Sequence, residues 1–196
     1  MKKHSRLFGI LFWLILWQCT AMLINKRIIL VTPIAAVKRL FELCTEASFI
    51  RTVLNSFLRI GAGFIAGAVI GTVTAALSAR FNAAKAIIDP FMSAVKAVPV
   101  ASFIIFALFF LKSSALSFLI SALMVMPVIY DAVGKGIENA DTKLIEAADI
   151  FALSPYRRVR YLYFPSVMPF LTAAFRTAAG LAFKSGTAAE VIGQPD

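Results

Sequence analysis

Six charged residues lie within or at the edge of long apolar segments and are the first candidates for chemistry: Arg59, Asp89, Lys96, Arg176, Lys184 and Glu190. A charge left unpaired in hydrocarbon costs several kcal/mol, so it normally faces a cavity or a partner. The sequence contains no phosphate-binding loop, no paired histidines and no Cys-x-x-Cys motif. These charges are therefore the candidates for function, and a membrane-embedded enzyme using Asp89, Lys96 and Glu190, or a non-transporting scaffold, is one interpretation of them.

The basic residues of the last apolar segment share one broad helical face. At 100° per residue, Thr187 falls within about 40° of Arg176 on a helix, and Lys184 falls within about 80°. If these residues line a solute pathway, its positive charge would favour an anion. The candidate pathway residues are Lys96, Arg176, Lys184 and Thr187.

The composition places these residues in a membrane. Of the 196 residues, 60% are apolar and only 15% are charged, and the mean hydropathy is +0.85. A soluble domain carries about 25% charged residues, so a soluble enzyme is excluded, and the many apolar residues exclude intrinsic disorder. Two cysteines, Cys19 and Cys44, are too few for a disulfide scaffold. The expected fold class is an all-α polytopic membrane protein.

Five apolar segments are long enough to be membrane-spanning helices. The third is interrupted by Pro90 and Pro99, which predict a bent helix beside protein or a water-filled cavity. After the first span, apolar residues recur at helical spacing, which predicts an amphipathic helix along the membrane interface that starts at Thr32-Pro33. The predicted spans of this single domain, residues 1–196, lie near 7–24, 55–79, 87–111, 115–130 and 170–191.

The basic residues also indicate an orientation. The net charge is +10, and in polytopic membrane proteins Lys and Arg accumulate in cytoplasmic loops. This interpretation is favoured over nucleic-acid binding, which interleaves basic residues with an aromatic platform. With a cytoplasmic N-terminus, the inner segments hold ten Lys and Arg residues and the outer segments hold six. We therefore expect the N-terminus and the loop 131–165 to be cytoplasmic.

Three glycines spaced four residues apart lie in the second predicted span: Gly63, Gly67 and Gly71. Glycines at this spacing remove the side chains from one stripe of a helix, so a neighbouring helix can approach backbone to backbone. The motif predicts helix packing and carries no chemistry.

The loop 131–165 combines two short predicted helices with a basic and aromatic surface. Asp141 can cap the first helix, and Ser154-Pro155 is typical of an N-cap followed by a first-turn proline. Pro165 is expected to end the second helix. A docking surface for a partner protein is the sharper interpretation, and a face turned to solvent or lipid headgroups is the alternative. The residues of this surface are Arg157, Arg158, Arg160, Tyr156, Tyr161 and Tyr163.

The sequence Glu146-Ala147-Ala148, followed by Leu162, Phe164 and Pro165, resembles the Glu-Ala-Ala loop of binding-protein-dependent ABC importer permeases. The resemblance implies the transmembrane subunit of a bacterial ATP-driven importer of the type I fold, in the cytoplasmic (inner) membrane. Further matches, to the sulfonate, nitrate and taurine branch, extend over nearly the whole chain: Trp17-Gln18, Thr32-Pro33 to Leu40, Asp89-Pro90 with Lys96 and Pro99, and Arg176 through Ala189-Glu190 with Gly193.

The same resemblance implies partners for this chain. These are a second copy in a homodimer, a cytoplasmic ABC ATPase dimer that binds ATP and magnesium, and an extracytoplasmic substrate-binding protein. No cofactor or metal is expected on the chain itself. The implied solute is a sulfonate, taurine or a nitrate-like anion, and a thiamine-pyrimidine precursor or another neutral or cationic solute is the alternative. The residues implied in ATPase coupling are Glu146, Ala147, Ala148, Ala152, Ser154, Pro155, Arg157, Arg158 and Pro165.

Two residues and the length of the chain depart from the family pattern. Ala152 stands where the family usually has glycine, and a left-handed backbone there would cost alanine about 1 kcal/mol. Lys184 stands where the family often has an apolar residue, which favours it as a substrate contact, whereas Lys96 and Arg176 match positions that are often basic. Because the family usually continues into a sixth span, we expect a truncated chain with Asp196 outside.

Overall fold

The computed structural model describes residues 2–24 and 30–193. Within these two ranges every regular element is a helix, so the predicted all-α fold class is confirmed. Two of the six outer basic residues, Lys26 and Arg27, and the chain end at Asp196 lie outside the described residues, so the predictions that include them are not addressed by the structure.

Nine α-helices and one π-helical turn make up the described ranges. Helices α1 to α5 cover Lys2–Ile24, Pro33–Cys44, Ala47–Arg80, Asn82–Ala97 and Val100–Leu108. Helices α6 to α9 cover Ser113–Glu138, Thr142–Ile150, Pro155–Arg158 and Phe164–Gly193. The π-helical turn, Val159–Tyr163, connects α8 directly to α9.

The chain divides into two compact units, Met1–Leu54 and Asn55–Asp196. In the first unit, α1 contacts α2. The hydroxyl oxygen of Thr32 accepts a hydrogen bond from the backbone N–H of Ala35 at 3.3 Å, and Pro33 occupies the first turn of α2. An N-cap oxygen satisfies a free amide of the helix start, and proline has no amide to satisfy. The predicted start of this helix is confirmed.

Four helical stretches of the described chain are long and apolar enough to cross a membrane: Leu7–Ile24, Ala47–Arg80, Ala115–Glu138 and Pro155–Gly193. Helices α4 and α5 pass the same test as a pair and are bent by 97°, which gives five spans if the pair counts as one. Val98 at the break is extended, with ψ 130°, because a following proline disfavours the helical conformation. Pro90 lies inside α4 without ending it.

Several helices extend past the predicted limits. Helix α3 begins at residue 47 rather than 55, and α6 continues to residue 138, inside the predicted loop 131–165. The predicted stop at Pro165 is wrong, because Pro165 is the second residue of α9. Pro165 lacks the N–H that an α-helix would pair at this position, and it lies just after the π-helical turn Val159–Tyr163, where the hydrogen-bond register changes. The helical stretch Pro155–Gly193 therefore continues through it.

The core of the second unit is formed by α3, α6 and α9, with α5 against one end. Helix α6 contributes to all three buried clusters of the described residues and is the central helix; the smallest cluster consists of Met92, Val95 and Met126. The first cluster consists of Ile60, Ala75, Val125, Ile129, Val133, Ala178 and Ala182. The second cluster consists of Ile104, Ala107, Leu116, Ile120 and Ala189.

The three spaced glycines of α3 face the backbone of α6. A Cβ atom added to Gly67 would lie 2.5 Å from the carbonyl oxygen of Ala122 and 2.9 Å from Cβ of Val125. At Gly63 and Gly71 the closest atom is likewise a carbonyl oxygen of α6. Real Cβ atoms do not approach backbone this closely, so any larger residue on this stripe requires the two helices to move apart.

Candidate functional site

The first helix of the loop carries the Glu-Ala-Ala sequence. Its start is capped as predicted, because Oδ1 of Asp141 accepts a hydrogen bond from the backbone N–H of Lys143 at 2.9 Å. Along α7, Glu146 is exposed and Ala147 is half-buried, whereas Ala148 is only 2% exposed. The helix therefore packs through its alanines and presents Glu146 outward.

Helix α7 ends in a Schellman turn around Ala152. The N–H of Ala152 donates to the carbonyl of Asp149 at 3.0 Å, and the N–H of Leu153 donates to the carbonyl of Ala148 at 2.9 Å. Ala152 has a φ of 46°, in the left-handed region where this turn usually places glycine. Ala152 therefore has the left-handed backbone considered at this position, where importer permeases usually have glycine, and this conformation costs alanine about 1 kcal/mol.

The second helix begins with Ser154 in the N-cap position and Pro155 in the first turn, as the sequence predicts. Two of its neighbouring basic residues, Arg157 and Arg160, are exposed. The guanidinium of Arg160 lies 5.4 Å from the centre of the Phe164 ring, a cation–π contact. This surface keeps two cations available to a partner.

Arg158 is bound within the loop itself. Its Nη1 lies 2.5 Å from Oδ1 of Asp149, its Nε donates to the carbonyl of Leu153 at 3.0 Å, and its Nη2 donates to the carbonyl of Ala148 at 3.3 Å. One guanidinium thereby connects α8 to the end of α7. Of the arginines predicted to form a docking surface, Arg158 faces the loop rather than a partner.

Large apolar side chains protrude beside this turn. Ile150 is 81% exposed and Phe151 is 77% exposed, and Tyr156 of α8 is 77% exposed. Large exposed apolar side chains that lie close together are typical of an interaction site. Sequence reasoning missed Ile150 and Phe151, although two bulky apolar residues directly before a turn residue were a usable signal. We refer to Ile150 and Phe151 below as the loop tip.

Helix α9 carries Arg176, Lys184 and Thr187 on its exposed side. The hydroxyl of Thr187 donates to the carbonyl of Phe183 in its own helix at 2.7 Å. Because the opposite side of α9 is built from small residues that pack into the core, the basic residues are directed away from it. The buried small residues are Ala178, Ala182, Ser185, Gly186 and Ala189.

Lys96 lies elsewhere, between α4 and α6. Its Nζ is 3.0 Å from Oδ2 and 3.2 Å from Oδ1 of Asp131. The ion pair neutralises the lysine and joins the two helices. The structure therefore groups three of the four candidate pathway residues on one surface of α9 and separates Lys96 from them. Asp131 was not recognised as a partner because the two residues are 35 positions apart.

A polar cavity of about 520 Å³ lies where α3, α4 and α6 meet. Two contacts between α4 and α6 line it: the hydroxyl of Tyr130 donates to Oδ1 of Asp89, and Nζ of Lys85 lies 3.5 Å from Oε1 of Glu138. The cavity is lined by the first half of α4, up to Asp89, and the bend at Val98 and Pro99 is not part of its lining. The remaining lining residues include Ser78, Asn82, Asp131 and Lys135.

Glu190 lies three residues beyond Thr187 on α9 and is half-buried. Its Oε1 atom is buried and has no hydrogen-bond partner within residues 2–24 and 30–193. A buried acceptor without a partner is unfavourable, so this carboxylate is unlike the exposed cations on the same helix.

The chain belongs to the family described as "Binding-protein-dependent transport system inner membrane component", whose sequence profile matches residues 49–196. It is thus the permease subunit of a binding-protein-dependent transporter and a multi-pass inner-membrane protein, a class of transport component rather than enzyme. The chain is 24% identical over 197 residues to the putative aliphatic sulfonates transport permease protein SsuC of Bacillus subtilis (strain 168), with 98% of this chain and 71% of the relative covered. The predicted resemblance to importer permeases of the sulfonate branch is confirmed.

Proposed function

We propose that the chain is the transmembrane subunit of an ATP-driven ABC importer for a small organic anion, in the first place an aliphatic sulfonate. Two copies form the pathway, an extracytoplasmic binding protein delivers the solute, and a cytoplasmic ATPase dimer holds ATP and magnesium. The observation that carries the proposal is the loop tip, where Ile150 and Phe151 protrude from a defined turn next to the Glu-Ala-Ala helix.

The loop tip is suited to insert its two apolar side chains into a groove on the ATPase. Burying a large apolar side chain contributes about 1.5–3 kcal/mol, so Ile150 and Phe151 together offer several kcal/mol to a groove that accepts both. Exposed Glu146 on the same helix adds a charge that favours one orientation of the contact. Because α6 precedes the loop and α9 follows it, a displacement of the tip is passed to both core helices.

The proposed orientation has a cytoplasmic N-terminus and a cytoplasmic loop. The distribution of ten inner and six outer basic residues supports it, since Lys and Arg are retained on the cytoplasmic side. The binding protein would then contact the opposite side of the membrane.

The exposed side of α9 supports an anionic solute. Arg176 and Lys184 form no ion pair within the described part of the chain, so both charges remain available. In a homodimer that brings two copies of this surface together, four cations would line the pathway and attract an anion. A neutral or cationic thiamine-pyrimidine precursor would gain nothing from them. The name of the relative from Bacillus subtilis points to aliphatic sulfonates within the anions.

Co-purification from detergent with candidate ABC ATPase subunits tests the coupling proposal. We expect the wild-type chain to retain its ATPase, and Phe151→Glu to lose it because a carboxylate cannot enter an apolar groove without a partner. Phe151→Leu is the matched control and should retain the ATPase. If Phe151→Glu retains the ATPase as well as the wild type does, the coupling surface lies elsewhere.

Uptake of labelled solutes by cells that express the complete transporter tests the substrate. We expect uptake of an aliphatic sulfonate, a decrease in Lys184→Ala, and recovery in Lys184→Arg, which keeps the charge. Uptake of the pyrimidine precursor in place of the sulfonate would overturn the proposal of an anion.

A further inference from the structure

Arg158 makes every side-chain polar contact that crosses the turn between α7 and α8 within the described loop, beside the two backbone hydrogen bonds of the turn itself. Its three guanidinium nitrogens contact Oδ1 of Asp149 and the carbonyls of Leu153 and Ala148. We propose that Arg158 is the positioning residue of the coupling loop, which holds the left-handed turn at Ala152 closed and so presents the loop tip in one orientation. The inference rests on the proposed function, because the tip is assigned there to the ATPase.

The turn needs such a contact because of the residue at its centre. With φ at 46°, Ala152 occupies a conformation that glycine adopts freely and that alanine disfavours by roughly fivefold. Replacing glycine with alanine therefore shifts the equilibrium of the turn toward open conformations. The hydrogen bonds and the ion pair that Arg158 makes from the second helix offset that shift.

The geometry of the guanidinium is suited to this task. Carbonyls at the C-terminal end of a helix carry partial negative charge, so a cation there is stabilising. Arginine offers several donors in a planar arrangement and can reach two carbonyls and a carboxylate together, which a lysine ammonium does less well. The Arg158 side chain is 32% exposed and that of Asp149 is 60% exposed, so solvent weakens the ion pair and the carbonyl contacts contribute most.

The two neighbouring arginines have a different role. Arg157 and Arg160 are exposed, and neither forms an ion pair within the described residues. They are thus the cations left for the ATPase, while Arg158 shapes the surface that carries them. Removing the charge of Arg158 should therefore open the turn, whereas removing the charge of Arg157 should not.

Limited digestion of the purified full chain in detergent with chymotrypsin tests the proposal. Cleavage after Phe151 requires the turn to open, so its rate reports the open population. We expect Arg158→Ala to be cleaved roughly tenfold faster than the wild type, since loss of about 1.4 kcal/mol changes a population tenfold. Arg158→Lys should lie between the two. Arg157→Ala removes the same charge one residue away and should leave the rate unchanged.

Ala152→Gly provides the second arm. It should slow cleavage by roughly fivefold, because glycine accepts the left-handed backbone, and it should restore Arg158→Ala to near the wild-type rate. A general loss of folding would not be reversed by a change at the turn. If Arg158→Ala does not yield folded protein, Arg158→Lys with and without Ala152→Gly gives the same comparison.

Two results would overturn the inference: a wild-type cleavage rate in Arg158→Ala, or no recovery when Ala152→Gly is added. Parallel capture of the ATPase separates this inference from the proposed function. If Arg158→Ala opens the turn while Phe151→Glu still captures the ATPase, the positioning role stands and the coupling role of the tip fails. If the turn is unchanged in Arg158→Ala but Phe151→Glu loses capture, the reverse holds.

Discussion

The packing of α3 on α6 leads to a quantitative prediction for Gly67→Ala. The added Cβ would lie 2.5 Å from the carbonyl oxygen of Ala122, whereas ordinary contact begins at 3.4 Å, so the helices must separate locally by about 0.9 Å. A gap of about 0.5–1 Å removes a quarter to a half of the dispersion energy of each contact, and overpacking costs about 1–3 kcal/mol. At about 2–4 °C per kcal/mol for a chain of this size, the Tm should fall by roughly 2–12 °C.

The assay is thermal unfolding of the detergent-purified chain at a fixed scan rate, followed by size-exclusion chromatography. Gly61→Ala is the matched control on the same helix, because nothing lies within 4 Å of a Cβ added there. It should keep the Tm or raise it, since alanine favours helix. If Gly67→Ala and Gly61→Ala unfold at the same temperature, α3 does not contact α6 through the glycine stripe and the reasoning is refuted.

Two further predictions concern α4 and α9, which also pack against α6. Lys96→Asp and Asp131→Lys should each lower the Tm slightly, because a half-exposed ion pair contributes about 0.2–1 kcal/mol. The double exchange should recover most of the loss. If it does not, the ion pair does not couple α4 to α6. Gly186→Ala should lower the Tm because its Cβ would lie 2.6 Å from Oγ of Ser121, while Gly180→Ala, with nothing within 4 Å, should not; equal effects of the two would contradict the observed packing of α9.

The sequence predicts this molecule best where the determinant is local. The starts of α2 and α7 follow from Thr32-Pro33 and Asp141, because a capping side chain acts within three residues of itself. The left-handed turn at Ala152 is predicted by the glycine that related permeases have at this position, because alanine itself does not indicate such a turn. Composition was sufficient for the fold class.

The sequence does not predict features that depend on distant parts of the chain. From the sequence, Lys96 is a cation with no evident partner. Its ion pair with Asp131 exists only because α4 packs against α6 in the folded chain. Local rules predict that Pro165 ends a helix, yet the helical stretch continues through it just after the π-helical turn Val159–Tyr163. The sequence does not show that Arg158 contacts the turn while Arg157 is exposed, because this depends on the direction in which each side chain leaves α8.

ATP-dependent uptake into proteoliposomes tests the central claim most directly. The vesicles contain the chain, its ATPase and ATP inside, and the binding protein with a labelled aliphatic sulfonate is added outside. The account predicts accumulation with the wild type and with Phe151→Leu, and none with Phe151→Glu or without ATP. Accumulation that is unchanged in Phe151→Glu, or that proceeds without the ATPase, would contradict it.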